Sequence, residues 1–173
     1  MQKYEYKGET YYYKNGRWLT SSYTSAPLAV VSALNKLVVE SENFDEKSLD
    51  ELKETAKKAR DGGNYQLAQK VLLTAMEKAS IEDIPLFLPM LTSNYRQLGM
   101  AEKAISLANE YEELYGRRIQ SSALWTSIGA AYADLENYGQ AKKYADRAYA
   151  LSGGKGSPEL SGLYGRIKSI TEK

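Results

Sequence analysis

The sequence predicts a mainly α fold: a right-handed solenoid of αα-hairpins with a small three-stranded antiparallel β-meander at its N-terminal end. Three observations carry this expectation. From Pro27 onward, apolar residues recur at three- and four-residue steps, the period of amphipathic helices. Three pairs of such segments carry an alanine at the same place in their second member: Ala68, Ala104 and Ala141 fall 36 and 37 residues apart. Residues 1–25 are unlike the rest, holding Tyr4, Tyr6, Tyr11, Tyr12, Tyr13 and Tyr23 of the fifteen tyrosines, together with Trp18.

The meander is read from its turns. Asn15-Gly16 tolerates the positive φ of a two-residue hairpin turn, and Gly8-Glu9 offers a second turn. Strands are expected over 3–7, 10–14 and 17–21. Asn15-Gly16 sets Lys14 opposite Arg17, Tyr13 opposite Trp18 and Tyr12 opposite Leu19; Gly8-Glu9 sets Tyr6 opposite Tyr11 and Tyr4 opposite Tyr13. Alternation then puts Tyr4, Tyr6, Tyr11, Tyr13 and Trp18 on one face, and Glu5, Lys7, Tyr12, Lys14, Arg17 and Leu19 on the other. So small a sheet needs its apolar face covered. The aromatic face is expected to pack on the helix after Pro27. The Lys14–Arg17 juxtaposition disfavours the sheet slightly unless an anion sits there.

The helices follow in order. Pro27 opens one over 27–42, with Leu28, Val31, Leu34, Leu37 and Val38 in phase. Ser48 and Glu51 form a capping box for a helix running to Arg60. Gly62-Gly63-Asn64 turns the chain into a partner helix from Tyr65. Ile84 to Leu98 is helical, with Pro85 admissible in the first turn and Pro89 a source of distortion. Its partner runs from Met100 to Tyr115 and stops at Gly116. Ser121 or Ser122 caps a helix to Leu135, and Tyr138 to Leu151 returns. Ser157-Pro158 starts the last helix, with Leu160, Leu163, Tyr164, Ile167 and Ile170 in phase. The resulting organisation is a meander over 1–25 and a helical region over 26–173, with pairs at 48–80, 84–116 and 121–152 and flanking helices at 27–42 and 157–171.

The pairs repeat more than their alanines. Tyr95 and Tyr132 share a position, with Ala59 in the first pair; the small residue of the first helix is Ala56, Thr92 and Gly129; later positions are Ala75, Tyr111 and Ala148. Trp125, Ile128, Gly129, Tyr132, Leu135, Tyr138, Ala141, Ala145 and Ala148 resemble the tetratricopeptide repeat (TPR), whose period is about 34 residues. The likeness covers Ser48 to Gly154. It implies stacked helix pairs, because one pair cannot bury its apolar face alone.

Composition narrows the function. The 173 residues carry no cysteine and no histidine, so thiol chemistry, the commonest general base and the commonest transition-metal ligand are missing. Net charge is +1, with no global pull toward nucleic acid or an anionic membrane. Gly153-Gly154-Lys155-Gly156 lacks the strand and hydroxyl residue of a phosphate loop and reads as a linker. The expectation is therefore a non-enzyme without cofactor or metal. Residues 1–7 show no apolar leader and no run is long enough to span a membrane, so a cytoplasmic setting is expected.

The resemblance implies a concave groove, lined by the first helix of each pair, that takes up a protein or peptide partner. By position it contains Lys53, Lys57 and Arg60, then Ser93, Arg96 and Gln97, then Thr126, Ala130, Ala133 and Asp134. Lys53 and Lys57 fall near a carboxylate-clamp position of some family members, but the accompanying asparagines do not line up. Leu86, Pro89 and Ala130 are the expected apolar contacts. Tyr12, Lys14 and Arg17 form a possible second surface. Its alternative use is single-stranded nucleic-acid binding, since aromatic rings beside cations suit it, although residues 1–25 carry only +2. Tyr11-Tyr12-Tyr13-Lys14-Asn15-Gly16 also resembles the aromatic hairpins of bacterial cell-wall-binding repeats, which implies glycan binding and ranks last.

Overall fold

The strands β1 (Gln2–Tyr6), β2 (Glu9–Lys14) and β3 (Arg17–Thr20) come first. The helices follow: α1 (Leu28–Ser41), α2 (Leu49–Asp61), α3 (Tyr65–Lys78), α4 (Ile84–Gln97), α5 (Ala101–Tyr115), α6 (Ser122–Asp134), α7 (Tyr138–Leu151) and α8 (Pro158–Thr171). The structure, a computed structural model, describes residues 1–171. Glu172 and Lys173, the end of the expected helical region, lie outside the described residues. The fold is mainly α with a small antiparallel sheet, as the sequence predicts. A 3-10 turn over Gly116–Ile119, which the sequence reading did not include, joins α5 to the loop before α6. The chain forms two compact units, the first Met1–Lys78 and the second beginning at Ala79.

In the first unit, the sheet has the order β1-β2-β3, antiparallel throughout. The second hairpin has the expected register: Lys14 faces Arg17, Tyr13 faces Trp18 and Tyr12 faces Leu19. The first does not. Tyr4 faces Tyr11 and Tyr6 faces Glu9, so the turn is Lys7-Gly8 and not Gly8-Glu9. The backbone explains the correction. Lys7 and Gly8 have φ of 52° and 80°, nearly those of Asn15 and Gly16 at 50° and 79°. The two hairpins therefore use the same kind of turn, in which both central residues have positive φ. Because the slip is two residues, no side chain changes face.

The aromatic face points inward. Tyr11 and Trp18 are buried at 3% and 5% exposure. Trp18 lies against Tyr4 and Tyr13, with ring centroids 5.1 and 4.8 Å away. Its indole N–H donates to Asn35 Oδ1 on α1 at 2.7 Å. The tip of the second hairpin meets the α2–α3 turn backbone to backbone. A Cβ on Gly62 would stand 2.0 Å from the Gly16 carbonyl oxygen, and one on Gly16 would stand 2.2 Å from the Lys58 carbonyl oxygen. Only glycine at both positions permits this approach.

The expected capping box is present: Ser48 Oγ accepts from Glu51 N–H and Glu51 returns to the Ser48 N–H. Asn64, 1% exposed, ends the turn, accepting from Leu67 N–H at 3.1 Å and donating to Tyr13 Oη at 3.5 Å. Helix α3 packs on α2 and α1. Lys70 closes the end of α1, its ammonium donating to the carbonyls of Val39 and Glu42 at 2.7 and 2.5 Å.

In the second unit, α6 is central and packs on α4, α5, α7 and α8. Gly129 permits this crowding. A Cβ there would lie 2.9 Å from Leu163 Cδ2 and 3.1 Å from the Ala141 carbonyl oxygen. Trp125, Ala141, Ala145 and Ala148 are fully buried, whereas Tyr132 is half-buried. Pro89 lies inside α4 and is buried. Ser121, not Ser122, caps α6, accepting from Leu124 N–H at 3.0 Å.

The repeat is visible in the backbone of its turns. Gly63, Gly99 and Glu136 all have positive φ, at 76°, 73° and 59°, as a left-handed helix stop requires. The residue after each one donates back into the first helix: Asn64 to Ala59, Met100 to Tyr95 and Asn137 to Tyr132, at 2.8 to 2.9 Å. These acceptors are the three residues that the sequence places at one repeat position.

Candidate functional site

On the first unit, α2 carries the expected cations. Lys53 is half-buried and Lys57 exposed. Arg60 is half-buried, and desolvation lowers its guanidinium pKa from the ordinary value.

On the second unit, α4 and α6 carry the remaining residues. Ser93 and Arg96 are half-buried and Gln97 is exposed. Thr126 is only 8% exposed and Ala130 is half-buried. Leu86 is 42% exposed while Pro89 is buried, so Leu86 is the more accessible apolar side chain.

Arg96 is not a lone cation. Its Nε donates to Asp134 Oδ2 at 2.7 Å, and Arg166 Nη1 on α8 donates to Asp134 Oδ1 at 2.6 Å. Arg166 Nη2 also reaches the Ala133 carbonyl at 2.7 Å. Burial opposes the charge on Asp134, but hydrogen bonds and the fields of the two arginines outweigh it, leaving the carboxyl below its ordinary value. The cluster joins three helices and retains one excess positive charge. Sequence reasoning placed Arg96 and Asp134 on this face but missed Arg166, whose helix it treated as a cap.

A second polar cluster was also missed. The Arg147 guanidinium lies 3.8 Å from the centroid of the Trp125 ring. It forms an ion pair with Glu112 and donates to Gln120 Oε1 at 2.9 Å; Trp125 Nε1 donates to the same oxygen at 3.0 Å. Arg147 holds the Glu112 carboxyl below its ordinary value. Glu112, Gln120 and Arg147 border a cleft of about 530 Å³ whose lining also includes Gly116, Arg117 and Leu151. Tyr144 lies between Trp125 and Tyr132, with centroids 5.5 and 5.3 Å away. The only signal in the sequence was Trp125 itself, because the partners lie 5 to 35 residues apart.

On the outer face of the sheet, Tyr12 is half-buried and Lys14 and Arg17 are exposed. Among the described residues, no group of three or more acidic, histidine or cysteine side chains forms a candidate metal cluster. No helix there is long and apolar enough to cross a membrane.

No family model matches the chain, and no curated protein matches it. Among solved structures, it is similar to the Sgt2 TPR domain from Aspergillus fumigatus, with 23% identity and a TM-score of 0.61, over 72% of this chain and 79% of that one. At that identity the likeness concerns the fold: this chain is built of TPR-like helical repeats.

Proposed function

We propose that the chain is a non-enzymatic protein-interaction module, and that the second unit binds an acidic partner segment along the face formed by α4, α6 and α8. The observation that carries this reading is the Arg96–Asp134–Arg166 cluster: an excess positive charge held on TPR-like helices that also carry Ser93, Gln97, Ala130 and the exposed Leu86. Lys53, Lys57 and Arg60 give α2 of the first unit a similar basic face. Exposed ion pairs contribute about 0.2 to 1 kcal/mol each, so apolar contacts at residues such as Leu86 must supply most of the affinity.

The resolved shifts move tyrosines such as Tyr13, Tyr144 and Tyr164 up, and carboxylates such as Glu112, Asp134 and Asp146 down. Both directions lead away from the near-neutral values of a poised acid or base.

A panel of acidic peptides tested against the full chain checks the proposal. Arg96→Gln with Arg166→Gln is expected to weaken binding at least about tenfold with an unchanged helical circular dichroism spectrum, and salt is expected to slow association more than it speeds release. Equal binding to that variant, with loss on changing Tyr12, Lys14 and Arg17, would overturn it.

A further inference from the structure

The outer face of the sheet carries a feature that the helical repeats do not explain. After β3 the chain doubles back: Thr20 N–H donates to the Thr24 carbonyl at 2.8 Å, Tyr23 N–H to the Thr20 carbonyl and Ala26 N–H to the Trp18 carbonyl, each at 2.9 Å. The Thr20 and Thr24 hydroxyls are also hydrogen-bonded, at 2.8 Å. Within this clamp Tyr23 adopts a φ of 60°, a conformation costly for a bulky side chain. The result is a ring that is 60% exposed yet fixed in place, stacked on Tyr12 at 5.4 Å with an interplanar angle of 18°.

Charge is arranged around this pair. Lys14 follows Tyr12 by two residues on the same face of β2, and Arg17 lies directly opposite Lys14. Two like charges in register oppose sheet formation, and among the described residues neither side chain is joined by an ion pair or a hydrogen bond. Lys3, the cross-strand neighbour of Tyr12, is by contrast paired with Glu5 at 3.1 Å. The face thus presents an accessible aromatic ring, held by strained backbone, beside two uncompensated cations.

We infer that this face is a binding site for a short single-stranded nucleic-acid segment, with a base stacked on Tyr23 and backbone phosphates neutralised by Lys14 and Arg17. An acidic peptide would satisfy the cations but leave the exposed ring unused. A base with its phosphates satisfies both, and aromatic rings on a sheet are a recurrent platform for unstacked bases. The site is small, so its affinity is modest and its sequence preference weak.

The test uses the full chain with fluorescein-labelled oligo(dT) and oligo(U), read by anisotropy, with oligo-glutamate as competitor. Two phosphate contacts give a slope of log affinity against log salt of about −1.4. Lys14→Glu with Arg17→Glu is expected to abolish that slope and most of the binding. Tyr23→Gly removes the ring while relieving the positive φ. It is expected to weaken binding about 5- to 150-fold with a melting temperature unchanged or raised, which separates loss of the site from loss of the fold. Failure of either oligonucleotide to bind above the charge-reversed variant overturns the inference. So does full retention of binding by Tyr23→Gly, or tighter binding of oligo-glutamate than of either oligonucleotide.

Discussion

The helix pairs α2–α3 and α6–α7 share a turn, a period and an alanine, yet they complete their cores differently. In the second unit, α6–α7 supplies its own aromatics: Trp125 and Tyr132 from the first helix flank Tyr144 from the second, and Arg147 covers the indole. In the first unit, the position of Tyr132 is taken by Ala59, and α2 buries only Leu52, Ala56 and Ala59. Aromatic mass comes instead from the sheet. Tyr13 meets Asn64 at the turn and shares a pocket with Ala59 and Leu67, while Trp18 is anchored on α1. A degenerate repeat is thus completed by a segment outside the repeat, and the Gly16–Gly62 contact is where that segment docks.

The largest expected effect tests the self-sufficient pair. Ala141 is fully buried where α6 meets α7, so Ala141→Arg forces a charge into a close helix contact. It is expected to cost about 4 kcal/mol or more, read by denaturant unfolding.

The next tests the dependent pair. Gly62→Ala places a methyl group 2.0 Å from the Gly16 carbonyl oxygen, and the sheet or the turn must move. A cost of about 2 to 3 kcal/mol is expected. The adjacent Gly63→Ala meets open space and strains only its φ of 76°, for about 1 kcal/mol. Equal costs at the two sites would mean that sheet docking contributes nothing.

Acid should separate the units. Glu112, Asp134 and Asp146 in the second unit all sit below their ordinary values, held by Arg147, by Arg96 with Arg166, and by Lys142 respectively. A carboxyl whose folded pKa is depressed stabilises the fold fully above its unfolded value, about 4. That contribution is lost as pH falls through the lower folded value. In the first unit, Glu51 is the only carboxyl with a resolved shift among the described residues. Acid unfolding below about pH 4, followed by residue-resolved NMR, is expected to loosen α5–α8 before α2–α3. Replacing Asp134 with Asn should narrow the difference.

The smallest effect is a gain. Glu136 has a φ of 59° where the other two turns have glycine. Glu136→Gly is expected to stabilise the chain by about 1 kcal/mol, read as a raised melting temperature.

What the sequence disclosed follows from range. Features fixed within a few residues were legible: the Ser48–Glu51 box, a serine cap at 121 or 122, the Asn15-Gly16 hairpin and the phase of Ala68, Ala104 and Ala141. The first hairpin was misplaced because Lys7 does not announce a positive φ, although parity still assigned the right face. Arg166 on Asp134, Arg147 on Trp125 and Gly16 against Gly62 were not legible, because each joins elements 22 to 46 residues apart in the chain. Periodicity says which face of a helix is buried, not which distant side chain arrives there.

The measurement that tests the central comparison most directly is amide hydrogen exchange on the full chain carrying Tyr13→Ala and Trp18→Ala. If the sheet supplies the cover that Ala59 leaves missing, protection in α2 and α3 falls by more than about tenfold while α6 and α7 keep theirs. Unchanged protection in α2 and α3 would contradict it.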